Sequence, residues 1–207
     1  LKLPKEKIDN IYLSLEEIEL IENAEIEQPH LINATQWLII SCFTGQRISD
    51  FMRFTKEMIR IEKGKPLIEF EQQKTGKLMT IPVHAKVQKL LDKNKGEFPN
   101  RISDQRYNDY IKEVCKIAGI DEEIKGKKQL NISKENDIQK IRRVEGVYPK
   151  YELVTSHIGR RSFSTNYYGE IPTSYLIYVT GHSSEVMFLN YIGKSNKDMA
   201  LELTKYF

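Results

Sequence analysis

Apolar positions recur at helical spacing over the first third of the chain. Ser14 with Glu17 forms the signature of a capping box, so a helix is expected from there through about Ala24. Leu31 to Phe43 is apolar on nearly every side, as a buried helix is. Gly45 stops it, and Ile48 to Phe54 predicts another short helix. The period then drops to two. Met58–Ile61, Pro66–Glu71 and Leu78–Pro82 alternate as half-exposed strands do, with Lys74-Thr75-Gly76-Lys77 as a hairpin tip between the second and third.

Helical spacing resumes at Val83–Leu91 and Ser103–Gly119, the latter with Tyr107, Ile111, Val114, Cys115 and Ala118 on one face. Residues 120–150 are charged and broken by Gly126 and Gly146. They fit either an insertion loop without chemistry or an exposed hairpin with strands at Gln129–Ser133 and Gln139–Val144. Helices are expected at His157–Tyr168, at Pro172–Thr180, after Ser184, and at Met199–Phe207 behind a second capping box. The pattern is mainly α with a small antiparallel sheet.

The 207 residues suit one domain, or one with a small appendage. A content of 40% hydrophobic and 29% charged residues supports a packed core under a soluble surface. The net charge of +3 permits a nucleic-acid partner without demanding one. No apolar run approaches the ~18–20 residues of a membrane span, so no membrane partner is expected. Cys42 and Cys115 lie in apolar segments and read as buried free thiols of a cytoplasmic protein. Residues 1–13 read as a linker and 14–207 as the working domain. The start at Leu1 is taken as a sign of further domains ahead.

Candidate chemistry is scattered but ordered. Arg47 follows a buried helix and a glycine turn, and its guanidinium suits a phosphate. Asp50, three residues on, has two open roles: orienting that arginine or capping the next helix. Lys74 sits on the hairpin tip, from which a lysine can reach into a site as a general acid. His157 and Arg160 share a helix face, while Arg161 is expected to point elsewhere, to the surface or a DNA backbone. His182 follows Gly181 at a helix break, and Tyr191 stands nine positions later.

Together the strings Thr-Gly-Gln-Arg-Ile-Ser-Asp, Lys-Thr-Gly-Lys, His-x-x-Arg-Arg-Ser-Phe-Ser-Thr and Gly-His-Ser-Ser with its following Tyr resemble the tyrosine recombinase (phage integrase) family. The likeness runs in order over residues 14–207. It implies the catalytic-domain fold of DNA breaking-rejoining enzymes and site-specific recombination for a mobile element. It further implies that Arg47 and Arg160 clamp the scissile phosphate and that His182 donates a hydrogen bond to it. His157 would assist removal of the nucleophile's proton, Lys74 would protonate the leaving 5′ oxygen, and Tyr191 would attack to form a 3′-phosphotyrosyl bond. Gln46 stands where the family usually has an apolar residue, which bears on local packing.

That chemistry is self-consistent. A five-coordinate phosphorus gathers negative charge, and each prepositioned donor contributes ~3–4 kcal/mol. A phenol with an ordinary pKa near ~10 needs cations or a base to attack at neutral pH. No cofactor, metal or ATP is expected. The implied partner is double-stranded DNA, on which the family works as a tetramer. The isolated chain is expected to be a monomer that binds DNA weakly, with its last helix docked either on its own domain or on a neighbour. Two rivals are a type IB topoisomerase-like relaxing enzyme and a catalytically silent DNA-binding module. The filling of all six catalytic positions argues against the second.

Overall fold

The computed structural model describes residues 11–131 and 141–207. Ten helices and two sheets are found among them. Helix α1 (Leu15–Asn23) carries the expected capping box: Ser14 Oγ accepts from the Glu17 N–H, and Glu17 accepts from the Ser14 N–H. Helix α2 (Pro29–Thr44) is the central element. Its residues Leu31, Ala34, Trp37 and Ile40 are almost wholly buried. The aromatic ring of Phe51, in the single-turn α3 (Ile48–Phe51), stands 5.7 Å from both Trp37 and Tyr107. Helix α3 is shorter than the pattern predicted, because Met52 and Phe54 are buried in the turn that follows it rather than on a helix face.

Strands β1 (Ile59–Glu62), β2 (Lys65–Glu71) and β3 (Leu78–Pro82) form an antiparallel meander. Ile68 pairs with Ile81, and Phe70 with Met79, so one face joins the core. Helices α4 (Ala85–Lys93) and α5 (Asp104–Ile117) close that core through Val87, Leu91, Tyr107, Ile111 and Val114. His84 caps α4 by accepting from the Lys86 N–H, which moves the start two residues past the predicted Val83.

The charged segment is a long hairpin, β4 (Glu123–Asn131) with β5 (Ile141–Pro149). The first strand begins earlier and the second ends later than expected. The parts of the predicted strands that fall at 132–140 lie outside the described residues, as does the predicted linker up to residue 10. The inward face is built of Ile124, Gly126 and Lys128 with Val144 and Tyr148, so little apolar alternation was there to read. That face rests on α6 (Lys150–Leu153).

Helix α7 (Ile158–Asn166) packs along α2. The approach is possible because residue 159 is glycine: a Cβ there would stand 1.9 Å from Ser41 Oγ and 2.8 Å from the Ser41 carbonyl carbon. Helices α8 (Thr173–Thr180) and α9 (Glu185–Tyr191) add a smaller core of Phe163, Leu176, Phe188 and Ile192. Helix α10 (Asn196–Leu203) docks on its own domain: Tyr168 Oη donates to Glu202, and Lys194 bonds Glu202 at 2.6 Å while lying 5.0 Å over the Tyr168 ring. Cys42 and Cys115 are free and buried. No helix among the described residues is long and apolar enough to cross a membrane.

Candidate active site

Two helices end in the same way, and each ending delivers a site residue. Gly45 ends α2 and Gly181 ends α8, with φ of 65° and 64°, a left-handed conformation that glycine adopts without steric cost. The chain turns off the helix axis at each point, and Arg47 and His182 follow. Gln46 ties the two turns together. Its buried amide donates to the Thr44 carbonyl at 2.9 Å and to the Val179 carbonyl at 2.8 Å. The residue that departs from the family pattern is therefore a structural polar staple.

Arg160 projects from α7 into the same place. It is 4% exposed, and its Nη1 donates to the Gly45 carbonyl at 3.2 Å. Burial and then the nearby Arg47 charge pull its pKa down to about 10, against the favourable pull of Tyr191 and Asp50. His157 occupies the N-cap position of α7 rather than its first turn. It is solvent-exposed, yet partial desolvation and the charges of Arg161, Arg160, Arg47 and Lys74 lower its pKa.

Asp50 settles between its two open roles by doing neither simply. It is buried, and its Oδ1 accepts from the Gln73 N–H at 2.8 Å, which anchors the hairpin beside α3. Lys74 is the next residue, exposed at the tip, and its charge acts on His157. The tip is further closed by the Thr75 hydroxyl donating to the Gln72 side chain at 2.8 Å. The Gln72 amide in turn packs against Gly181.

Tyr191 ends α9 with its ring inside this cluster. The Arg160 and Arg161 guanidinium carbons lie 6.0 Å and 5.4 Å from its ring centre, and the His182 ring is 5.0 Å away. Burial raises the phenol's pKa, while Arg160, Arg161 and Arg47 oppose the rise. The position of Arg161 corrects the expectation that it points elsewhere: its guanidinium faces the phenol. Consecutive helix residues diverge by about 100°, which favours the wrong reading, but α9 folds across both side chains and collects them.

His182 is held by Thr180, whose Oγ1 is 2.7 Å from its Nδ1. Burial, Arg160 and Arg47 push the imidazole pKa down to about 4. The structure thus gathers Arg47, His157, Arg160, His182 and Tyr191, with Lys74 at the rim and Asp50 beneath. None of the ion pairs among the described residues uses Arg47, Lys74, Arg160 or Arg161. Arg47 Nη1 and Arg161 Nε are buried without a hydrogen-bond partner. A cluster of cations so lightly neutralised is built to receive an anion.

A sequence profile of the phage integrase family matches residues 12–198. The chain belongs to the phage integrase family. Solved structures share its fold. XerH site-specific recombinase, in a post-cleavage complex bound to palindromic difH substrate, aligns with a TM-score of 0.62 at 14% identity, over 95% of this chain and 53% of that one. A λ integrase (75–356) dimer bound to a COC′ core site gives 0.61 at 21% identity, over 93% and 62%. A λ integrase tetramer bound to a Holliday junction gives 0.59 at 20%, over 92% and 51%. The chain therefore spans between half and two thirds of these proteins' lengths. No curated protein sequence matches it. Membership in the phage integrase family accounts for the order of the motifs. Arg161 and Thr180 join the site as well, and become visible once the helices are packed.

Proposed function

We propose that this chain is the catalytic domain of a site-specific DNA recombinase that cuts and rejoins strands through a 3′-phosphotyrosyl bond at Tyr191. The observation that carries the reading is the convergence of Arg47, Arg160 and Arg161 on one tyrosine beside His182. Arg47 and Arg160 clamp the non-bridging oxygens of the scissile phosphate. Their field also favours the phenolate, and a bound phosphodiester completes the charge balance of the cluster. Lys74, on the hairpin tip held by Asp50, protonates the leaving 5′ oxygen. His182 donates a hydrogen bond to the phosphate, and His157 assists removal of the phenol's proton. The covalent link conserves the bond energy, so religation needs no ATP.

The solved relatives bound to DNA, one as a dimer and one as a tetramer on a Holliday junction, support a DNA duplex as substrate and an assembly as the working unit. Covalent capture tests the reading. The full-length protein is incubated with DNA carrying its gene and flanks, denatured, and examined for protein linked to a 3′ phosphate. We expect an adduct that maps to Tyr191 and disappears in Tyr191→Phe. An adduct that persists in that variant, or none with the wild type, would sink it.

A further inference from the structure

Gln46 does more than fill the space between two helix ends. A helix leaves its last carbonyls without partners of its own. At the end of α8 the Gly181 N–H closes on the Tyr178 carbonyl and the His182 N–H on that of Ile177, each at 3.2 Å. The Val179 carbonyl remains, and Gln46 Nε2 donates to it at 2.8 Å. At the end of α2 the Gly45 N–H closes on the Ser41 carbonyl at 3.1 Å, and Gln46 Nε2 donates to that of Thr44 at 2.9 Å. Both hydrogens of one planar amide are thus used, one on each helix. Two carbonyls can be met only by the amide nitrogen, so the network itself assigns which way the amide faces.

The side chain used there is informative. Gln46 is fully buried, and its Oε1 finds no hydrogen-bond partner among the described residues. A residue serving packing alone would be apolar at this point, because an unmet buried oxygen destabilises. A glutamate would bring no hydrogens, and a lysine or arginine would add a cation beside Arg47 and Arg160. Glutamine is the neutral side chain with two hydrogens and this reach. The next carbonyl along, that of Gly45, accepts from Arg160 Nη1 at 3.2 Å. Arg47, Arg160 and His182 are therefore tied to one stretch of backbone. The His182 turn is also closed on its hairpin side. A Cβ on Gly181 would stand 2.9 Å from Nε2 of the buried Gln72, so the turn has no room to shift that way.

We infer that Gln46 is a positioning residue for strand cleavage: its amide fixes the spacing between the Arg47 turn and the His182 turn, so that both side chains meet the same phosphate. The inference rests on the recombinase reading above. Gln46 is buried and acts through the two donors it spaces. A misplaced donor slows the chemical step steeply. DNA affinity is the sum of many phosphate contacts and depends little on one such spacing. The DNA-free protein carries its own gauge of the spacing. Burial, Arg160 and Arg47 hold the His182 imidazole at about 4, with Tyr191 and Phe188 as its other ring neighbours. If the turns separate, the ring gains water and loses the Arg47 charge, and both changes move it back towards ~6.5.

Gln46→Met and Gln46→Leu test this, since both remove the amide and leave an apolar body of the type usual in the family. A thermal melt establishes that each variant folds. Two measurements then follow. The first is NMR titration of the histidine rings in the DNA-free protein from pH 7 to pH 5. His182 should stay neutral in the wild type and begin to take up a proton in both variants. The second is adduct formation by the full-length protein with DNA at saturation. Both variants should be ~10-fold slower, with DNA affinity within ~2-fold of the wild type. A side chain that merely fills the core would lower the melting temperature and leave the titration and the rate alone. A folded variant in which His182 titrates as in the wild type, or in which adduct forms at the wild-type rate, therefore overturns the inference. A wild type that forms no adduct sinks the recombinase reading instead, and the titration still decides whether Gln46 sets the spacing.

Discussion

At the scale of single residues, the site is cationic around groups that the fold keeps neutral. His182 has its pKa lowered to about 4, and those of His157 and His84 are also lowered, against ~6.5 in an unfolded chain. The unfolded chain therefore binds more protons than the folded one between those values. The stability that these groups confer is complete above ~6.5 and is lost as pH falls towards about 4. We expect the urea midpoint to drop from pH 7 to pH 5, and the drop to shrink in His182→Gln. An equal drop in that variant would remove His182 from the account. Asp50→Ala should cost roughly 2 kcal/mol in denaturant unfolding, since it frees the Gln73 N–H and removes a buried anion beside Arg160. It should also quicken amide exchange at the hairpin tip. The six catalytic candidates were legible because residue type and order carry them. Arg161 and Thr180 were not. One is a second arginine in a basic pair and the other a hydroxyl at the end of an apolar helix, and each gains meaning from what folds over it.

Elements meet at this site through close backbone approaches and polar staples. The crossing of α2 and α7 sets the distance from the Arg47 turn to Arg160, and it depends on Gly159. Gly159→Ala should destabilise by roughly 3 kcal/mol, the upper range of overpacking, because Ser41 backbone as well as side chain stands in the way. Trimming Ser41 to Ala should restore little, which a double-variant thermal melt would check. Element existence was well predicted wherever an apolar face contacts the core, as in α1, α2, α5 and the β-meander. Boundaries moved where a cap or buried turn intervened, at His84, His157 and Met52. The β4–β5 hairpin was hardest to read because its covered face mixes Ile124 and Val144 with a lysine stem, a tyrosine and glycines. For α10, the Tyr168–Glu202–Lys194 contact holds the helix against its own domain in the single chain. Glu202→Ala should speed hydrogen exchange throughout α10 while leaving α2 unchanged.

For the whole molecule, net charge says little, and placement says more. A chain of +3 becomes a DNA enzyme, on the proposed reading, by gathering Arg47, Lys74, Arg160 and Arg161, none of which is spent on an ion pair among the described residues. DNA binding should then weaken steeply with salt, and Lys74→Ala should reduce the slope of log affinity against log salt by ~1. Fluorescence anisotropy at several salt concentrations measures it, and an unchanged slope would place Lys74 off the phosphate backbone. The two buried cysteines have a bearing on how such motions can be watched. The Cys42 thiol is pushed up to about 12 by burial, and that of Cys115 is raised as well, so neither offers a reactive thiolate at neutral pH. A single cysteine introduced on the exposed surface of α10 can therefore be dye-labelled in the otherwise native chain. Departure of that helix from its own domain could then be followed molecule by molecule.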